Sequence, residues 1–156
     1  MAKILRKDQD GRADLDSHAD TCVLGETFHI YENTSQECTV YPYISTYKPR
    51  VVTIAHGGTA YDHSDGETYI LDINNGFNMV EDLGTSLLNP NQMRANGIII
   101  DDVPIHLSFD GTSTHSIYIP EIDLRIPLQL DGIISYIMTR KPTAEELENC
   151  VHVTLA

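Results

Sequence analysis

Asp16 stands where a short apolar run gives way to small polar residues, in Leu15-Asp16-Ser17-His18-Ala19-Asp20-Thr21-Cys22-Val23-Leu24. The apolar run resumes at Val23 and Leu24. A carboxylate at such a strand end can be held by backbone amides and still face a cleft. Asp16 is therefore a candidate general acid, general base or metal ligand, with the Ser17 hydroxyl beside it. The same residues also suit a solvated Asx-turn closing a hairpin, because Asp, Ser and small residues dominate turns. Asp16, His18, Asp20, His56 and His63 all carry metal-ligand side chains. No two of them show a dedicated spacing such as H-x-x-x-H, so the histidines are expected to be satisfied or solvent-facing, with no metal or other cofactor.

The elements that must position this corner read as short strands. Residues 1–12, with four of the ten Lys and Arg, look like a lead-in to a single domain over 13–156. Ala13 to Asp16 is a strand end. Phe28–Tyr31 and Cys38–Tyr41 are β-rich runs parted by a turn signal, Glu32-Asn33-Thr34-Ser35. Pro42 to Pro49 reads as a loop. Arg50–Ala55 is the clearest strand, and His56-Gly57-Gly58 followed by Thr59–His63 predicts a tight hairpin. Ser64-Asp65-Gly66 and Asn74-Asn75-Gly76 are further turn signals on either side of a strand over Glu67–Ile73. Thr85–Leu88 is a short strand. Asn89 as N-cap, Pro90 at the first helical position and Gly97 at the exit predict a two-turn helix. Strands are expected over Ile98–Ile100, Ile105–Phe109, His115–Ile119, in pieces over Leu124–Ile137, and over Val151–Leu155. Thr143-Ala144-Glu145-Glu146 is a capping box opening a helix to about Cys150. Many short strands with frequent turns indicate an all-β barrel or sandwich.

Length suits one domain with one core, since the chain has 156 residues. Tyr outnumbers Phe eight to three and Trp is absent, so the core must rest on aliphatic residues and Tyr. Net charge is −13, and no Lys or Arg falls between Val51 and Met93, where six Asp or Glu do. Such a surface repels phosphate backbones, which argues against nucleic acid as a partner and favours basic or neutral polar ones. No apolar run reaches the length of a membrane span, and the start is too polar for a signal peptide. Three scattered cysteines, Cys22, Cys38 and Cys150, argue against a disulfide framework and point to a reducing, cytoplasmic compartment.

Leu15 to Leu24 resembles the active-site corner of retroviral and retrotransposon aspartic proteases, L-D-[ST]-G-A-D followed by two or three residues and an apolar pair. It matches at every motif position but one, with His18 where the family has glycine. Ala55-His56-Gly57-Gly58 resembles the family's Gly-rich flap, which closes over bound peptide. Ser86 to Ile98 is similar to its apolar pair and short helix, which threads beside the corner, with Asn89 at a glycine position. The order of the three pieces is the family's, and the form L-L-x-x-x-Q-[LM] resembles the copia-type retrotransposon branch more than the viral one. The resemblance covers Ala13 to Asp101 and leaves an extended C-terminal segment. It implies a retropepsin-like closed β-barrel with a flap hairpin and one or two short helices. It implies an endopeptidase whose catalytic residues are Asp16, Ser17 and His18. Asp20, Ala55, His56, Gly57, Gly58 and Leu88 would bind a peptide or polyprotein substrate. Only one such corner is encoded, so the site implied is that of a homodimer with Asp16 from each chain. An imidazole in place of glycine adds bulk beside the dyad, and as a cation it would lower the dyad's pKa values. Two other readings stay open: a hydrolase of another substrate class, metal-assisted through Asp16, His18 and His56, and a non-catalytic binding or assembly module.

Overall fold

A computed structural model describes residues 10–40 and 49–156. It is mostly β. In chain order the strands are β1 (Asp10–Leu15), β2 (Cys22–Leu24), β3 (His29–Val40), β4 (Arg50–Asp62), β5 (Thr68–Asn78) and β6 (Thr85–Leu88). After helix α1 (Pro90–Ala95) come β7 (Ile99–Asp101), β8 (Ser116–Ile119), β9 (Leu124–Pro127), β10 (Gln129–Asp131) and β11 (Ile134–Arg140). Helix α2 (Ala144–Asn149) and β12 (Val151–Thr154) follow. The main sheet runs β10-β11-β1-β6-β2-β5-β4-β3, with β12 added in parallel to β5 and β11 also meeting β4 where Arg140 lies opposite Ala60. A small sheet, β7-β8-β9, stands apart. The core gathers Leu24, Phe28, Leu71, Ile73, Leu88 and Met93 from the first half of the chain with Ile117, Ile126, Ile137 and Leu155 from the second.

Helix α1 forms as its caps predict. Asn89 accepts at its side chain from the Asn91 and Gln92 amides, and Gly97 leaves at φ +83°. The capping box of α2 is also made, with Thr143 and Glu146 bonding each other's backbone amides. Arg140 then ties α2 to the sheet by pairing with Glu146 and with Asp62 of β4. That pairing holds the Glu146 carboxyl well below its ordinary value, at about 2.

Several sequence expectations are corrected. No hairpin turns at His56-Gly57-Gly58, because β4 runs straight through them. The two glycines are there for close approach. A Cβ on Gly58 would lie 2.2 Å from the Tyr31 hydroxyl and 2.5 Å from Asp72 Oδ1, and one on Gly57 would lie 2.9 Å from the His29 carbonyl. The turn that ends β4 falls later, where the Gly66 amide bonds the His63 carbonyl and Gly66 takes φ +93°. Glu32-Asn33-Thr34-Ser35 makes no turn either. It lies inside β3, where register shifts against β4 absorb the turn-prone residues. Asn74-Asn75-Gly76 belongs to β5, since Gly76 pairs with both Cys22 and Ala55. The first strand begins at Asp10, inside the expected lead-in, because residues 10–14 find partners on β11. Ile105–Phe109 forms no strand. Ile105–Leu107 is one exposed 3-10 turn with no strand alongside to pair it. The loop expected over Pro42 to Pro49 lies, Pro49 excepted, outside the described residues.

Candidate active site

Strand β1 ends at Leu15, and the chain turns through Asp16 to Thr21 into β2. Two strands hold this corner from behind. Strand β6 lies between β1 and β2, parallel to β1 and antiparallel to β2, while β5 runs parallel to β2 on the other side. Asp16 extends the β1–β6 ladder by one bond, its amide donating to the Leu88 carbonyl at 2.9 Å. Its side chain then turns back, and Oδ1 accepts the His18 amide at 2.9 Å. The carboxylate is thus fixed at both backbone and side chain, with Asp16 half-buried and Ser17 and His18 exposed beside it. Two residues upstream, the Asp14 charge is already matched by Arg12 at 2.8 Å, and Arg12 also reaches Asp131 and stacks on the Tyr136 ring.

Helix α1 clamps the far end of the corner. Gln92 Oε1 accepts the Cys22 amide at 2.8 Å, and Gln92 Nε2 donates to the Asn75 carbonyl at 2.8 Å. Those two partners fix the orientation of the amide, since one can only donate and the other only accept. The Thr21 hydroxyl lies 2.8 Å from the same Oε1 and gives it its single proton. Asn89 works with all of its polar groups. Oδ1 caps α1, Nδ2 donates to the Ala19 carbonyl, and the backbone amide donates to Cys22 Sγ at 3.3 Å. A glycine at this place would supply only the last of these. Burial pushes the Cys22 thiol up to about 11, against the hydrogen bond from Asn89, so it is a neutral acceptor and no nucleophile.

The expected site residues separate into two groups. Asp16, Ser17, His18 and Asp20 share the corner, all but Asp16 exposed. Leu88 meets the corner through its carbonyl alone, because its side chain is 2% exposed and sits in the core. Ala55, Gly57 and Gly58 are buried in mid-strand and form no lid tip. His56 is bound to β5 through Nδ1, which donates to the Asn74 carbonyl. Among the described residues no three His, Cys, Asp or Glu side chains gather to hold a metal, so Asp16, His18 and His56 form no such cluster within one chain. Gln92, Asn89, Thr21 and Asn75 had no expected role in the corner. The one signal for Gln92 was its place in the L-L-x-x-x-Q form, which says nothing of what the amide touches.

One rigid carboxylate, with Oδ1 engaged and a hydroxyl and an imidazole exposed next to it, can accept or donate a proton. It cannot by itself hold one proton between two carboxylates. No helix among the described residues is long and apolar enough to cross a membrane, and Cys22, Cys38 and Cys150 are free. Comparison with protein-family models, curated proteins and solved structures finds no match.

Proposed function

We propose that the chain is one half of a homodimeric aspartic endopeptidase of the retropepsin-like kind, acting on peptide or polyprotein substrates. The observation that carries this reading is the threading of β6 between β1 and β2. A carboxylate at the end of β1 is thereby braced by an apolar strand and the short helix that follows it, the arrangement the sequence resemblance leads one to expect. The meeting of β11 with β4 supports a barrel. In the dimer the two Asp16 carboxylates would face each other and share a proton, because like charges about 3 Å apart cannot both ionise. One would take a proton from the attacking water while the other gives one to the scissile carbonyl. Ser17 of each chain would bond across the axis. His18 would stand beside the pair, where the resembled family has glycine.

The test is single-turnover cleavage of mixed peptides by wild type and Asp16→Asn, at concentrations spanning the dimer dissociation constant. Wild type should cleave best at acidic pH, be blocked by pepstatin-type inhibitors and lose specific activity on dilution. Asp16→Asn should be folded and inert. An Asp16→Asn rate within about tenfold of wild type, ~1.4 kcal/mol of barrier, would remove Asp16 from the chemistry. No turnover of any peptide, together with tight partner binding, would make the corner an Asx-turn in a binding module.

A further inference from the structure

Far along the chain from the corner, His152 of β12 has both ring nitrogens against acceptors. Nδ1 lies 2.8 Å from Asp72 Oδ2, and Nε2 lies 2.7 Å from the Leu147 carbonyl oxygen. A carbonyl oxygen has no proton to give. Asp72 Oδ1 meanwhile receives the Tyr31 hydroxyl at 2.6 Å, as expected of an ionised carboxylate. Both imidazole nitrogens must therefore donate, and only the imidazolium can do so.

We propose that His152 is a pH-operated latch for helix α2, closed while the imidazole is protonated and opened when it loses that proton. The proposal does not depend on Asp16 or on any catalytic role. A neutral ring can keep one bond only. If it keeps the proton on Nδ1, a lone pair faces the Leu147 carbonyl at 2.7 Å. If it keeps Nε2–H, a lone pair faces the Asp72 carboxylate. The charge on Asp72 selects the first form, so the bond given up is the one to α2.

The element released is the helix and not the strand. Strand β12 stays paired with β5 from Val151 to Thr154, and Val153 and Leu155 are buried. Helix α2 has no buried residue. Among the described side chains, Arg140 ties it to the sheet through Glu146, and His152 holds the next residue, Leu147, by its backbone carbonyl at the start of the last turn. The groups facing the imidazole are Asp72 from β5, Tyr31 from β3 with the His29 ring 5.6 Å behind it, and the last-turn carbonyl of α2. The nearest carboxylate and the helix's carbonyl end both favour a cation. Burial alone would lower the His152 pKa, but the bonds to Leu147 and Asp72 and the charge of Asp72 outweigh it and raise the value. The latch contributes its full stability below the unfolded value of 6.5 and loses it as pH rises through the higher folded value.

The experiment is an NMR titration of the full chain from pH 5 to 9, following the His152 ring nitrogens and amide protection factors corrected for intrinsic exchange. Both ring nitrogens should carry protons at pH 6, and His152 should titrate above 6.5. Protection of the amides from Leu147 to Cys150 should fall by about three- to tenfold through that transition, one hydrogen bond's worth, while the amides of β12 hold. In His152→Gln, which cannot gain charge, protection should be flat with pH. In Asp72→Asn the His152 titration should move down. A wild-type His152 that titrates at or below 6.5, or an α2 whose protection ignores that titration, overturns the latch. Because the decisive readings are on wild type, a variant that fails to fold leaves the test intact.

Discussion

At the scale of single residues, the corner depends more on amides than on charges. Gln92 is the clearest case, since its one carboxamide joins the end of the turn after Asp16 to both α1 and β5. Gln92→Leu should leave the buried Cys22 amide without an acceptor and cost about 1–3 kcal/mol, read as a lower midpoint in denaturant unfolding with unchanged slope. Gln92→Glu keeps that acceptor and sets a carboxylate oxygen against the Asn75 carbonyl, so it should fall between the two. Equal stability of Gln92→Leu and wild type would show that the clamp is idle. The sequence made Asp16, Ser17, His18 and Asp20 legible as one cluster because they are neighbours in the chain. Gln92 and Asn75 were not legible, because no local pattern says which distant amide a side-chain carboxamide will reach. Asn89 was legible only as a helix cap. Its bond to the Ala19 carbonyl depends on how β6 is threaded.

At the scale of elements, signals tied to local chemistry held. The caps of α1 and α2 and the turn at Ser64-Asp65-Gly66 are set by backbone groups within a few residues. The turns read at Glu32–Ser35, at Gly57-Gly58 and at Asn74–Gly76 did not form, because in each case neighbouring strands supply partners that a free hairpin would lack. Glycine in a sequence does not reveal whether it is wanted for its backbone angles or for its missing side chain. Gly58→Ala separates the two. On the structure it pushes apart Tyr31 and Asp72, so it should lower stability by about 1–3 kcal/mol, measured by thermal or denaturant unfolding. A flap tip would instead change substrate turnover and leave stability alone.

At the scale of the whole molecule, the segment after Asp101 is no appendage, although the family resemblance stops there. It supplies β11 to one edge of β1 and β12 to β5, and it buries Ile117, Ile126, Ile137 and Leu155 in the common core. A chain ended at Asp101 should lose cooperative unfolding and bind a hydrophobic dye. A sharp transition at the full chain's midpoint would show that residues 10–101 fold alone. The all-β class was legible from strand and turn spacing, whereas the partnering of first and last strands was not, since nothing local records it. That partnering governs the order of events in time. Asp10 lies opposite Arg140, and Leu71 opposite Val153. Each pairing closes a long loop before it is rewarded, which slows folding. On the ribosome β1 must wait for nearly the whole of the described chain to be made. The residues that brace Asp16 directly, His18 and Leu88 to Gln92, are made well before β11, so the corner has its immediate partners while the other edge of β1 still waits for its own.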